Sequence, residues 1–375
     1  MKKKVMVIFG TRPDAIKMAP LILELKRHEQ LEVLVCSTWQ HKQMLDQVLW
    51  VFWITPDYDL DIMEANQTIW TITIKILQWL DPILKKELPD LLFVHWDTTT
   101  WFASWLTWFY NQIPVWHIEA WLRTYNKWSP FPEEMNRKLL SSICDLHFCP
   151  TENNKNALLH EWVCEKSIFV TWNTGIDAMK YTVRNEYKFK EEKLNGLDFS
   201  TKTILVTAHR RENLWEPLEN ICNALLSVVQ SKKDVQIVFP VHLNPKVQDT
   251  VRKILWEQVR VYLLNPLDVE DLHNLMSKSY LIATDSWWIQ EEWPYLKKPV
   301  LVMRTETERP EAVIAWTVKV VGTNKEDIYY NIVKLLDDKD CYLSYQKAVN
   351  PYGSGDSAII IANIIQDYLW VWLKK

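Results

Sequence analysis

The sequence predicts an α/β protein built as two Rossmann-like, doubly wound parallel-sheet domains. Three observations carry that expectation. Short apolar runs alternate with amphipathic runs along nearly the whole chain, the rhythm restarts half-way, and a polar, charged connector separates the two series. With 375 residues, 48% hydrophobic and 24% charged, the chain has material for two medium domains and is too apolar to be disordered.

The first series opens at residues 5–9 (VMVIF), a continuous apolar run suited to a strand buried on both faces. Residues 13–28 follow as a helix, with Ile16, Ala19, Ile22, Leu23 and Leu25 on or near one face. Strands are expected over 31–36, 91–94, 115–118, 146–149 and 168–171, with helices over 41–49, 68–86, 99–110, 132–143 and 152–160. The second series has strands at 203–207, 235–240, 259–263, 281–284 and 300–303. Its helices fall at 217–230, 245–255, 269–278 and 325–337, and a last helix at 357–369 finishes the chain. The domains are expected to be 1–171 and 172–356, with the terminal helix (357–375) packing back on the first. The connector (RNEYKFKEEKLNGLDFS) is charged, not Gly/Ser-rich, so a semi-ordered link is expected. Open α/β sheets bind ligands beyond the C-terminal strand ends, which makes an inter-domain cleft the default site.

Composition excludes several classes. A net charge of −4 gives no electrostatic footprint for nucleic acid. No run of 18 apolar residues suggests a membrane span. The start, MKKKVMVIFGTRPD, reads as a first strand, not a signal peptide. Six cysteines without a C-x-x-C pair point to reduced thiols in a cytoplasmic protein. One imbalance stands out: the chain has 6 Gly and 22 Trp. About 7% Gly, roughly 26 residues, is usual. Many indoles stand where a turn is expected (TWQH, HWD, EAWLRT, VTWNT, DSWWIQ), although Gly reaches φ > 0 without steric penalty and Trp does not. Trp101, Trp105 and Trp108 instead keep helical spacing and are expected to face the core.

The chemistry-bearing residues cluster at predicted strand ends. Gly10-Thr11-Arg12-Pro13-Asp14-Ala15-Ile16-Lys17 places an Arg and a Lys at a helix N-terminus, a seat for phosphate. Asp97 follows one strand, Glu119 another, and Glu133 opens a proline-led helix that also carries Arg137. Carboxylates at different pKa values are how proton transfer runs near neutrality. In the second half, His209 stands beside Arg210 and Arg211 after a strand, as a titrating group beside a di-anion would.

GTRPDAIKMAP, HWDTTT, HIEAWLRT, SPFPEEMNR, TAHRREN, PVHLNP, TDSWWIQEE and TERPE occur in this order. Together they resemble the non-hydrolysing UDP-N-acetylglucosamine 2-epimerases from residue 3 to about 355. The resemblance implies a glycosyltransferase-B type fold, usually a homodimer. It implies interconversion of UDP-GlcNAc and UDP-ManNAc through elimination of UDP to a bound 2-acetamidoglucal and re-addition, for cell-surface polysaccharide precursors. No metal or nicotinamide cofactor is implied, and UDP-GlcNAc is expected as a possible activator. By motif, Asp97, Glu119 and Glu133 look like the acid/base carboxylates and His209 the group beside the leaving UDP. Arg12, Lys17 and Arg137 look like substrate contacts. Ser286, Trp287, Trp288, Glu292 and Arg309 fall on the nucleotide-binding motifs, while Gln43, Arg210 and His242 match an effector site adjoining the substrate.

The chain departs from the family where Trp96, Trp121, Trp172, Trp287 and Trp288 stand for glycines and Asp14 for Glu. Two indoles at 287–288 are expected to fill or displace the phosphate loop, leaving the chain inactive or poorly folded. Three other readings stand beside the epimerase: a glycosyltransferase of the same fold, an inactive UDP-sugar-binding protein, and a hydrolysing epimerase.

Overall fold

The computed structural model describes every residue except 1, 39–41, 65–66, 121, 129, 211–212, 287, 306, 308–309 and 373–375. Two compact units form: Met1–Tyr181 with Tyr352–Lys375, and Thr182–Pro351. The first unit therefore runs on past the expected limit at 171, through a helix, Thr174–Thr182, that the sequence reading missed.

The first unit is built on seven parallel strands: β1 (Lys3–Phe9), β2 (Leu31–Ser37), β3 (Tyr58–Asp59), β4 (Leu91–His95), β5 (Val115–Ile118), β6 (Leu146–Cys149) and β7 (Ile168–Val170). Their order is β3-β2-β1-β4-β5-β6-β7. Val7 on β1 sits between Val35 on β2 and Phe93 on β4, all buried, as the continuous apolar runs require. Trp101, Trp105 and Trp108 are buried on the helix Thr99–Tyr110, as their spacing predicts. The helix Ser357–Trp372 packs on the helix Arg12–Leu25 within this unit.

The second unit has six parallel strands: β8 (Lys202–Thr207), β9 (Val235–Pro240), β10 (Val261–Leu264), β11 (Leu281–Thr284), β12 (Val300–Val302) and β13 (Val318–Val320). They are ordered β10-β9-β8-β11-β12-β13. Ile204, Val206, Leu225, Ile237, Phe239 and Ile332 belong to its core. The edge strands β3 and β13 escaped the sequence reading because two or three residues carry too little periodicity.

Both sheets reverse their winding beside the first strand of the set, between β1 and β4 and between β8 and β11. Loops leaving such a pair run to opposite faces and open a crevice at the C-terminal strand ends. Backbone geometry is tight there. At Gly10, just past β1, a Cβ would lie 2.4 Å from Thr38 Oγ1 and 2.6 Å from Thr100 Oγ1, so only glycine fits. Among the described residues, six tryptophans hold positive φ values: Trp53, Trp96, Trp162, Trp172, Trp215 and Trp316, between 55° and 74°. That region suits glycine and strains an L side chain.

Candidate active site

In the first unit the predicted residues converge on the β1/β4 switch point. Thr11 caps the helix Arg12–Leu25 through a reciprocal box with Asp14, and Pro13 stands in its first turn. The cap fixes Asp14 and Lys17 on one inward face, both buried. Lys17 Nζ donates to both oxygens of Glu119 at 2.7 Å. Glu119 follows β5 with φ 56°, a strained non-glycine conformation of the kind found at functional sites. Asn173 Nδ2 also approaches Glu119 Oε1, at 3.4 Å.

Asp97 lies two residues beyond β4. Arg137 Nε donates to its Oδ2 at 2.6 Å, and Asn136 donates to its backbone carbonyl at 2.8 Å. Arg137 and Asn136 are both buried in the middle of the helix Glu133–Ser141. The environments of the two carboxylates diverge. Burial pushes Asp97 up to about 6, against the pull of Arg137 and with a push from the charge on Glu133. Burial also opposes ionisation of Glu119, but Lys17 and His95 overcome it and hold Glu119 far below the usual carboxylate range. A group near 6 exchanges protons at neutral pH, while one held far lower stays an anion.

Glu133 is half-buried, close enough to act on Asp97 electrostatically. Its neighbour Glu134 accepts from the backbone N–H groups of Thr124 and Tyr125 at 3.0 Å and so anchors the preceding loop. Arg12 is half-buried at the same helix start.

In the second unit the β8/β11 switch point gathers another set. Asp285 Oδ2 accepts from His209 N at 2.9 Å, Arg210 N at 2.8 Å and Asn213 Nδ2 at 3.1 Å. His209 Nδ1 lies 3.3 Å from Asp285 Oδ1, and the His209 ring stacks on His242 at 5.8 Å. Ser286 is buried, and its hydroxyl has no hydrogen-bond partner among the described residues. Trp288 begins the short helix Ile289–Glu292 with right-handed geometry (φ −72°), so this position does not call for glycine's freedom. Glu292 is buried, with Oε2 3.4 Å from His273 Nε2.

The sequence model of the family UDP-N-acetylglucosamine 2-epimerase matches residues 23–366. The chain belongs to the UDP-N-acetylglucosamine 2-epimerase family. The UDP-N-acetylglucosamine 2-epimerase of Bacillus subtilis is 52% identical, covering 95% of this chain and 93% of its own. A crystal structure of UDP-GlcNAc 2-epimerase from Neisseria meningitidis, bound to UDP-GlcNAc, is 44% identical, covers 97% and 100% of the two chains, and has a TM-score of 0.86. The enzyme from Methanocaldococcus jannaschii, in complex with UDP-GlcNAc and UDP, is 30% identical over 97% and 99%, with a TM-score of 0.78.

Within this epimerase-family chain, Asp97, Glu119, Lys17 and Arg137 are held together, with Glu133 and Arg12 at the adjoining helix starts. His209, Arg210, His242, Ser286, Trp288 and Glu292 belong to the second unit. Trp287 and Arg309 lie outside the described residues, as does the side chain of Gln43. Sequence reasoning missed His95, Asp285 and His273. His95 and Asp285 lie inside quoted motifs, but only burial and partners single them out. Trp96 also has a place at the site. Its ring lies 5.1 Å from Lys17 Nζ and 6.0 Å from Arg137 Cζ, beside the cation partners of Glu119 and Asp97.

Proposed function

We propose that this chain interconverts UDP-GlcNAc and UDP-ManNAc at C2 without net hydrolysis. The observation that supports this best is the pair of buried carboxylates with separated pKa values, Asp97 near 6 and Glu119 held ionised, at the switch point of the first sheet. The C2 hydrogen is weakly acidic, so its base must be held firmly. In this reading Asp97 accepts the C2 proton, the C1–O bond to UDP breaks, and its electron pair leaves with UDP as C1=C2 forms. Glu133, the third carboxylate of the set, delivers a proton to C2 on the opposite face as the C1=C2 pair closes on it, and the UDP oxygen adds back to C1 to give the epimer. Glu119 remains an anion that stabilises positive charge developing at C1. In the same reading Lys17, Arg12 and Arg137 hold the sugar. His209, Arg210, Ser286, Trp287, Trp288, Glu292 and Arg309 hold the nucleotide, and Gln43 and His242 border an effector. Homodimer formation, activation by UDP-GlcNAc, and a cytoplasmic role in polysaccharide precursor supply go with it.

The test is incubation with UDP-GlcNAc in D2O, followed by proton and phosphorus NMR. The expected result is UDP-ManNAc, with deuterium entering C2 of both epimers and no free ManNAc. Free ManNAc and UDP would support a hydrolysing enzyme instead. One observation favours a second reading, nucleotide-sugar binding without turnover: the Trp96 ring lies against the cations that serve both carboxylates. Tight binding with no exchange at C2 would establish it.

A further inference from the structure

We infer that His95 is a positioning residue for this reaction, its imidazole wedged between Asp14 and Glu119 so that the Glu119 carboxylate is fixed in orientation and charge. The inference rests on the epimerase reading of the Asp97–Glu119 cluster and adds a residue to it.

His95 is the last residue of β4 and is fully buried. Its Nε2 lies 2.9 Å from Glu119 Oε2, and its Nδ1 lies 3.8 Å from Asp14 Oδ1. Lys17 holds Glu119 from another side at 2.7 Å. The groups that face His95 are Asp14 and Lys17 from the helix Arg12–Leu25, and Glu119 and His117 from the end of β5. Trp101, from the helix Thr99–Tyr110, presents an indole at 6.2 Å and no titratable group. His117 is a neutral neighbour: its Nε2 meets the Trp96 carbonyl at 3.0 Å, and burial holds its pKa at about 3.

Charge counting gives the cluster its logic. Asp14 and Glu119 bring two negative charges and Lys17 one positive charge. An imidazolium at His95 balances the set, as a buried cluster of charges requires. Burial opposes that charge, yet Asp14 and Glu119 hold the ring above its ordinary value. The strained backbone of Glu119 gives a second reason for a clamp. A non-glycine residue persists at a left-handed φ only where the contacts around it over-determine its place. Asp14 Oδ1, 3.8 Å from Nδ1, acts on the ring from behind through its charge.

The test uses the full chain with His95→Leu and His95→Gln. His95→Leu is expected to lower kcat roughly 10–100-fold, with little change in KM, and to move the acid limb of the kcat–pH profile upward. Glutamine places a neutral N–H where Nε2 was. It is expected to recover most of kcat while the displaced pH limb stays. Wild-type kcat and an unmoved limb in His95→Leu would overturn the inference. Nitrogen NMR of the His95 ring in the unmodified chain needs no activity: an imidazolium at pH 7 is expected, and a neutral ring overturns the inference even if both variants fail to fold. Absence of epimerisation by the wild type would instead remove the functional reading, leaving the ring measurement to decide the pairing.

Discussion

Replacing Trp162 by glycine should stabilise the first unit. Trp162 is the second residue beyond the helix Glu152–His160, where its N–H donates to Leu159 O at 3.1 Å and the N–H of Val163 donates to Leu158 O at 3.1 Å. Those two bonds define a helix ending that requires a left-handed residue, usually glycine, at this position. Trp162 supplies it at φ 66° while its side chain is 95% exposed. No packing is lost on truncation. Left-handed geometry costs a non-glycine residue about 1–2 kcal/mol. The extra freedom of glycine in the unfolded chain takes back about 0.5–1 kcal/mol. The net gain is about 0–1.5 kcal/mol, centred on about 0.75 kcal/mol, or roughly 2–3 °C in the Tm of a unit this size. Trp316 repeats the same ending after the helix Pro310–Ile314, at φ 58° and 79% exposed. Trp316→Gly should therefore act in the same sense on the second unit. Trp101→Gly is the control: this buried helical indole should lose about 3–5 kcal/mol. Urea and thermal unfolding read all three. A Trp162→Gly protein no more stable than its parent would refute the strain argument, and peptide mass across residues 155–166 would verify which side chain the purified protein carries.

Three further outcomes are expected. Burial holds His117 at about 3 and His147 at about 4, below the ordinary 6.5, so both fold as neutral rings. Their contribution is complete above pH 6.5 and is lost as pH falls from there toward about 4 for His147 and about 3 for His117, at about 1.4 kcal/mol per pKa unit; a His117→Asn/His147→Asn protein should show a flatter Tm–pH curve, and parallel curves would count against the assignment. Trp96→Gly removes both the φ 62° strain and the indole beside Lys17 and Arg137. Its kcat/KM should rise about tenfold or more, about 1.4 kcal/mol of barrier, and an unchanged value would show that the ring does not obstruct the site. Asp285→Ala leaves three donors of the His209 loop without their acceptor. It should lower the Tm of the second unit and weaken UDP binding at least tenfold by calorimetry, at about 1–3 kcal/mol per stranded donor; full UDP affinity would place that loop outside the binding machinery.

The strand–helix rhythm was legible because parallel strands buried on both faces leave continuous apolar runs, as at 5–9 and 281–284. Elements without such a run stayed hidden. Tyr58–Asp59 is too short to show a period, and Thr174–Thr182 lies where polar composition suggested a connector. Asp97 and Glu119 were legible from motif and strand-end position alone. Their division of labour was not, because the same carboxyl chemistry is pushed up at Asp97 by burial and down at Glu119 by Lys17 and His95. His95 shows the limit most clearly: between an apolar valine and a tryptophan it reads as a core histidine, and only a fold that brings 14, 17, 95 and 119 together gives it partners.

The first unit is discontinuous, closed by residues that follow the whole second unit. On a ribosome, the helix Arg12–Leu25 would wait with an apolar face uncovered until Ser357–Trp372 emerged. The second unit, continuous from Thr182 to Pro351, meets no such delay. The helix that carries Asp14 and Lys17 is thus among the first segments synthesised and among the last to be completed. A truncation before residue 357 would leave the first unit half-built while the second folds normally.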